Sequence, residues 1–350
     1  MTRIVFTGGG TAGHITPNIA LIQKLKEKHP HIEILYVGSS RGPEAKMIPE
    51  IGVKFKGVQA GKLRRYFSWK NILDFFRIPI GFAQSFLTLF GFKPAVVFSK
   101  GGYVGIPIVL AAKALRIPIV LHESDVLPGL ANKMASDLAD VICMSYVETK
   151  DLITRKVKKV VTGNPVREFI LKGNRDRGFE YSGLSQNHPV VLIMGGSQGA
   201  QHINEALIKA LPKINANVIH ITGKGKKIAD NTDQYKSFEY VNKELPDLYA
   251  ISDVIVSRSG ANSLAEIDAL GIPAILIPIA KAASRGEQTI NAEAHKKLNP
   301  ETIIIKDEAL SSENLAKSIE KLLRSPKKEK HQNNAVDKIL EVLEEYVGRN

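Results

Sequence analysis

The chain has one cysteine, Cys143, in 350 residues. A single thiol excludes an internal disulfide framework and any cysteine-rich metal site, and it fits a reducing compartment. Neither a D-x-D motif nor a His/Cys cluster is present, so no metal and no other cofactor is expected. The glycine loop at 8–14 is read as neither a G-x-G-x-x-G fingerprint nor a Walker loop ending in Gly-Lys-Ser/Thr, so neither dehydrogenase nor P-loop ATPase chemistry is expected. Long apolar runs are missing as well. The most apolar stretch, 72–92, is interrupted by Asp74, Arg77, Pro79, Gly81 and Gln84 and does not read as a spanning helix. No apolar leader precedes the first strand, which begins within TRIVFTGGG, so a soluble or peripheral, cytoplasmic protein is expected.

Acidic residues are scarce in one half only. The chain carries 48 Lys+Arg against 35 Asp+Glu, a net charge of +13. Residues 1–163 hold 23 basic against 11 acidic side chains, and residues 164–350 hold 25 against 24. Nearly all the excess therefore lies in the first half. Within 54–100 nine cations (Lys54, Lys56, Lys62, Arg64, Arg65, Lys70, Arg77, Lys93, Lys100) face one acid, Asp74. Such a surplus calls for an anionic partner or surface. With 44% hydrophobic and 24% charged residues, the chain is globular rather than disordered. Its length favours two domains at roughly 150 residues each.

Short β-branched runs alternate with helical patterns throughout. The first half predicts strands at 3–7, 33–37, 95–99, 118–122 and 141–144, with helices such as 18–28 and 107–115. The second half predicts strands at 189–194, 217–222, 237–240, 254–257, 274–277 and 302–304. Its helices are expected at 200–211, 245–251, 262–269, 288–297 and 311–323. Continuous apolar strands separated by helices indicate parallel sheets covered on both faces. Each half opens with a strand, a glycine turn and a helix: IVFTGGGTAGH at 4–14 and VVLIMGGSQGA at 190–200. Each repeats a turn after a later strand: SKGGYVG at 99–105 and SRSGANS at 257–263. The expected fold is α/β, with two Rossmann-like, doubly wound parallel-sheet domains facing a cleft. Domain one is placed at 1–163 and domain two at 164–333. The helix in the closing segment 334–350 would pack on either.

Chemistry concentrates in these turns. GGGTAGH at 8–14 leads into a helix whose N–H groups and dipole would attract an anion. His14, at the mouth of that loop, is placed as a general base. In GGSQGA at 195–200, Ser197 and Gln198 would add side-chain donors for a phosphate. In the segment 257–278, Asn262 and Ser263 would cap a helix, with Glu266 one turn in and able to accept two ribose hydroxyls. HESD at 122–125 and GNPVR at 163–167 follow strands, so His122, Glu123 and Arg167 are further candidates, Arg167 toward a diphosphate. The stretch 62–93 interleaves cations with apolar and aromatic residues. Lys62, Arg64, Arg65, Trp69, Ile72, Phe75 and Phe76 form the candidate patch for an anionic membrane surface. No nucleic-acid-binding motif accompanies it.

These motifs together carry a resemblance. GGGTAGHITP, SKGGYVGIP, HES-PGLANK, GNPVR, GGSQGA, GKG at 223–225, SRSGA-S-AE and EQTINA at 287–292 closely resemble the MurG family, glycosyltransferase family 28. Its members are bacterial UDP-N-acetylglucosamine:undecaprenyl-diphospho-muramoylpentapeptide N-acetylglucosaminyltransferases. The resemblance implies a GT-B fold with the lipid acceptor on the N-terminal domain and the donor on the C-terminal one. It implies inverting transfer of GlcNAc to the MurNAc 4-hydroxyl of lipid I, giving lipid II and UDP. The implied setting is peptidoglycan synthesis at the cytoplasmic face of the cell membrane, coupled to cell shape and division and to other wall-synthesis proteins.

The resemblance also assigns residues. Donor contacts fall on Thr11, Gly13, Asp125, Arg167, Ser197, Val241, Ala261, Asn262, Ser263, Glu266 and Gln288. Val241 would read the uracil edge, Glu266 the ribose hydroxyls and Gln288 the sugar. His14 and Tyr103 fall on the acceptor side, and His14 with Glu123 or Asp125 would move the proton. The sequence departs from many relatives at Asp125, where they carry Asn, and at Glu287–Gln288, where some carry Gln-Gln. Two other enzymes share the architecture, a UDP-GlcNAc 2-epimerase and a glycolipid-forming glycosyltransferase. A basic nucleic-acid-binding module would explain the charge but not the glycine loops.

Overall fold

The structure, a computed structural model, describes residues 2–61, 69–154, 156–195, 200–227, 230–279, 286–325 and 333–347, with only the backbone for 69–76. Lys62, Arg64, Arg65 and Ser197 lie outside the described residues, as do the side chains of Trp69, Ile72, Phe75 and Phe76.

The chain divides into two compact units, Met1–Arg167 with Asn333–Asn350, and Glu168–Gln332. In the first unit the elements run β1 (Arg3–Thr7), α1 (Ala12–Lys28), β2 (Glu33–Ser39), α2 (Glu44–Glu50), β3 (Lys54–Val58), α3 (Trp69–Phe92), β4 (Val96–Ser99) and α4 (Gly105–Ala114). They continue with β5 (Ile119–Glu123), α5 (Leu130–Ser136), β6 (Val141–Met144), α6 (Thr149–Leu152) and β7 (Lys158–Val161). Seven strands form one sheet, in the order β3-β2-β1-β4-β5-β6-β7, and every pairing is parallel.

The second unit holds α7 (Arg175–Ser182), β8 (Val190–Met194), α8 (Gln201–Ala210), β9 (Asn217–Ile221), β10 (Tyr235–Phe238), α9 (Leu245–Ile251), β11 (Val254–Ser257) and α10 (Ala261–Leu270). It ends with β12 (Ala274–Leu276), α11 (Glu287–Leu298), β13 (Ile303–Ile304) and α12 (Ser312–Leu323). Its sheet is again parallel, in the order β10-β9-β8-β11-β12-β13.

Both orders reverse direction between the first and fourth strand of the sheet. That reversal opens a crevice beyond the carboxyl ends of β1 and β4, and of β8 and β11, where ligands of doubly wound sheets bind. The turns read from the sequence at 8–14, 99–105 and 257–263 sit at these ends, and residues 196–199 of the turn at 195–200 lie outside the described residues.

The interior strands follow from their composition. β4, β5, β6 and β11 are buried at every position, as strands covered on both faces must be. The sequence reading misses β3 and β7, the two edges of the first sheet. β3 alternates lysine with other residues, as KFKGV, and β7 opens on two adjacent lysines, as KKVV; edge cations discourage pairing with another chain.

The last helix, α13 (Ala335–Val347), belongs to the first unit. Ile339, Leu340 and Leu343 are fully buried there in one cluster with Ile15, Leu21, Ile22 and Leu25 of α1. Burial of each such side chain is worth about 1.5–3 kcal/mol. Asn164–Arg167 also stay with the first unit, so the boundary lies four residues beyond the expected one. Among the described residues no helix is long and apolar enough to cross a membrane. α3 carries Pro79 inside it.

The basic run 54–100 does not form one surface. Lys54 pairs with Glu33 at 3.0 Å on the edge of the sheet, and Lys100 is only 1% exposed.

Candidate functional site

In the first unit the two glycine turns interlock. α1 begins at Ala12, with Thr11 as N-cap, six residues before the expected start. Pro17, which reads as a helix beginning, lies inside it. His14 therefore sits in the first turn of a helix, half-buried, with Thr11 and Gly13 exposed beside it. A β-carbon on Gly102 would lie 3.1 Å from His14 Cδ2 and 2.7 Å from the Gly9 carbonyl oxygen. A β-carbon on Gly10 would lie 2.5 Å from Tyr103 Cε1. Only glycine lets the two backbones approach this closely. His14 and Tyr103 are thus brought to one place.

The first turn is held from below by a residue the sequence reading did not single out. Glu44, fully buried, accepts the Gly10 N–H at 3.2 Å through Oε2 and the Ser39 N–H at 2.9 Å through Oε1. Gly8, Gly10 and Gly13 carry the G-x-G-x-x-G spacing between a strand and a helix, which is the dinucleotide fingerprint. Here a carboxylate of the protein already takes the Gly10 amide. That occupancy argues against a dinucleotide pyrophosphate in this turn; the spacing, which the sequence reading takes as absent, does not.

Behind the second turn lies a buried polar cluster. Lys100 Nζ bonds His122 Nδ1 at 2.9 Å, Asn164 Oδ1 at 3.1 Å and Ser124 Oγ. His122 Nε2 lies 2.9 Å from the Gly163 carbonyl, so the proton resides on Nε2 and Nδ1 accepts from the ammonium. Burial, reinforced by the Lys100 charge, holds His122 well below the ordinary imidazole range.

Glu123 has a different task from the expected catalytic one. It is 4% exposed, and both carboxylate oxygens are engaged. Oε1 accepts from Asp125 N at 3.0 Å, and Oε2 from Gly129 N at 3.0 Å and Asn132 Nδ2 at 2.8 Å. Burial and then the Asp125 charge raise its pKa. These bonds make it the organiser of the 124–129 turn, with Asp125 half-buried at the rim. Arg167 is half-buried at the end of the unit's main segment.

In the second unit β11 runs into α10 through Arg258–Gly260. Gly260 is the N-cap and supplies no side-chain cap. Asn262 and Ser263 therefore lie inside the first turn rather than capping it, half-buried beside buried Ala261. Glu266 stands beyond the first turn, where the helix dipole no longer explains a carboxylate. Tyr249 of α9 donates to its Oε2 at 3.1 Å and orients it. Ser259 Oγ donates to the Gln288 carbonyl at 2.8 Å, and Gln288 Oε1 accepts from Ile279 N at 3.2 Å. The start of α11 is thereby fixed beside the end of β11. Arg258 anchors that end by donating to the Ile277 carbonyl at 3.0 Å and to Asp307 at 2.5 Å. Val241 is buried after β10, and Glu239 accepts from Gly225 N at 2.9 Å in the neighbouring loop. Tyr249, Arg258, Glu44 and Lys100 act through partners distant in sequence, which no local motif announces.

Among the described residues no group of three or more His, Cys, Asp and Glu side chains could hold a metal ion. The arrangement offers an imidazole and a phenol at one strand edge of the first unit. In the second it offers a helix N-terminus with an oriented carboxylate.

Comparison with known proteins gives the same outline. Residues 4–144 match the glycosyltransferase family 28 N-terminal domain, and residues 190–345 the glycosyltransferase family 28 C-terminal domain. A relative from Legionella pneumophila (strain Paris) is 45% identical over 354 residues, covering 98% of this chain and 96% of its own. It is named UDP-N-acetylglucosamine–N-acetylmuramyl-(pentapeptide) pyrophosphoryl-undecaprenol N-acetylglucosamine transferase. The crystal structure of Acinetobacter baumannii MurG superposes with a TM-score of 0.72 at 21% identity, covering 99% of this chain and 100% of that one. UDP-GlcNAc 2-epimerase from Neisseria meningitidis bound to UDP-GlcNAc gives 0.69 at 16% identity, covering 98% and 99%. The two structures, at such identities, show the fold alone.

Proposed function

Because the chain belongs to glycosyltransferase family 28, we propose that it transfers GlcNAc from UDP-GlcNAc to the MurNAc 4-hydroxyl of undecaprenyl-diphospho-MurNAc-pentapeptide. The observation that carries this reading is the near-full-length match to a relative named for that reaction. The GT-B fold and the two strand-edge sites support it.

The second unit takes the donor. Glu266, oriented by Tyr249, accepts the ribose hydroxyls, and the first turn of α10 at Ala261–Ser263 receives the diphosphate. Val241 reads the base, and Gln288 the sugar, with Ser197 and Arg167 near the phosphates. The first unit takes the acceptor beside His14 and Tyr103, with Thr11, Gly13 and Asp125 among the donor contacts. His14 accepts the proton of the 4-hydroxyl as that oxygen bonds the anomeric carbon. The bond from that carbon to the diphosphate breaks on the opposite face, inverting the centre and releasing UDP. Base catalysis of this kind contributes roughly 10²–10⁴ in rate. Charge on the leaving group is met by backbone donors and arginine rather than a metal ion.

Lys62, Arg64, Arg65, Trp69, Ile72, Phe75 and Phe76 seat the chain on the anionic cytoplasmic face of the membrane, where the lipid acceptor resides. The test is incubation with labelled UDP-GlcNAc with and without a lipid I analogue, in EDTA. Glycosylated lipid formed only with acceptor supports the reading. UDP-ManNAc formed without acceptor would make the chain an epimerase instead.

A further inference from the structure

Among the described residues Lys100 is the one lysine that ranks with the largest fully buried side chains. Its position joins four strand ends. Its backbone N–H donates to the Thr7 carbonyl at the end of β1 at 3.0 Å. Its own strand, β4, ends one residue earlier, and the Gly101–Tyr103 turn begins one residue later. Its ammonium reaches Ser124 after β5, Asn164 after β7 and His122 within β5. Three acceptors use all three ammonium protons. The Gly101–Tyr103 turn is the surface on which His14 rests, and the 124–129 turn carries Asp125.

We propose that Lys100 is a positioning residue of the transfer reaction: its buried ammonium fixes the spacing between the His14–Tyr103 pair and the Ser124–Asp125 turn. The inference rests on the assignment of the acceptor to the first unit. Lys100 touches no substrate, because it is buried beneath the two turns.

The same network makes the spacing sensitive to alkali. Desolvation lowers the Lys100 ammonium to about 8, against the opposing charges of Glu123, Asp125 and, last, Cys143. These groups and His122 are what β5, its following turn and β6 present to it. β1 meets it through Thr7, whose side chain carries no charge. Below that pH the ammonium satisfies His122, Ser124 and Asn164 together. Above it a neutral amine keeps two protons for three partners, and one contact must be given up or reversed.

The experiment is a pH profile of kcat and of KM for UDP-GlcNAc, with a lipid I analogue, for the wild type and Lys100→Met. Wild-type kcat should fall on the alkaline side with a midpoint near 8, and KM for UDP-GlcNAc should rise only as far as the shifted Asp125 contact carries it. Lys100→Met should lose kcat on the order of 10²-fold at neutral pH, the cost of a misplacement near 1 Å, and its profile should lack that limb. A merely structural lysine would lower the melting temperature of the variant and leave the profile in place. Wild-type kcat in Lys100→Met, or an alkaline limb that persists in it, overturns the proposal. Should the variant not fold, the ¹³Cε resonances of lysine in the wild type decide the matter. One lysine titrating near 8 is expected, and none doing so overturns it. Wild-type transfer is measured first, so failure of the transferase reading shows before any variant is compared.

Discussion

Glu44 and Gly10, 34 positions apart in the chain, meet across a hydrogen bond of 3.2 Å. The other carboxylate oxygen takes Ser39 N at 2.9 Å. One buried side chain therefore ties the end of β2 to the glycine turn that precedes His14. Glu44→Ala leaves two amides without their acceptor, at about 1–3 kcal/mol each. Glu44→Gln is no milder, because its NH₂ group must face one of the two N–H donors. Both variants should show a lower denaturant midpoint and a lower kcat, with KM for UDP-GlcNAc unchanged. Unchanged stability in both would remove the carboxylate from its structural role.

The donor side has an independent test. Glu266→Ala should raise KM for UDP-GlcNAc by about 10–100-fold, the range for losing a charged hydrogen-bond acceptor. Tyr249→Phe leaves the carboxylate but frees its orientation, and a rise of about 2–10-fold is expected from one neutral hydrogen bond. Steady-state kinetics at saturating acceptor measure both. An unchanged KM in Glu266→Ala would remove the ribose assignment.

Acid should unfold the second unit through His220. Its ring is buried between Tyr235 Oη at 2.9 Å and Asn204 Oδ1 at 3.0 Å, and burial lowers its pKa to about 4 from the ordinary 6.5. Above 6.5 the ring is neutral in folded and unfolded chains alike. Between 6.5 and 4 the unfolded chain takes up a proton that the folded one refuses, so stability falls as pH falls. The full loss is about 3 kcal/mol at roughly 1.4 kcal/mol per pKa unit. His220→Gln should flatten this part of the slope of unfolding free energy against pH. The contribution of His122 in the first unit, which has the same sign, should remain.

The membrane assignment predicts a charge effect. Replacing Lys62, Arg64 and Arg65 together by alanine should weaken binding to vesicles containing anionic lipid by about 10²-fold, at roughly 1 kcal/mol per cation. Activity on a short-chain, water-soluble acceptor should be unaffected. Unchanged partition in a vesicle sedimentation assay would leave the charge of the first half without this purpose.

What the sequence made legible follows the reach of each interaction. The interior strands and the turns at 8–14, 99–105 and 257–263 could be read because apolar runs and glycine placement are local signals. β3 and β7 could not, since Lys54, Lys56, Lys158 and Lys159 make edge strands look like loops. His14 and Glu266 stand out within their motifs, but Glu44, Lys100 and Tyr249 do not. Their meaning lies in contacts with Gly10, Asn164 and Glu266, brought near by sheet order alone. Lys100 shows the hazard most plainly, counting as surface charge in the sequence and as a core ammonium in the fold. Glu123 shows the reverse, a carboxylate placed like a catalyst whose oxygens are spent on Asp125, Gly129 and Asn132.

The central claim, transfer of GlcNAc with inversion to the acceptor 4-hydroxyl, is tested most directly by the anomeric linkage of the product. UDP-GlcNAc and a lipid I analogue are incubated with the chain, and the lipid product is examined by NMR while released UDP is counted. The account predicts one β-linked GlcNAc on the MurNAc O4 for each UDP released. An α-linked product, attachment at another hydroxyl, or UDP release without a glycosylated lipid would contradict it.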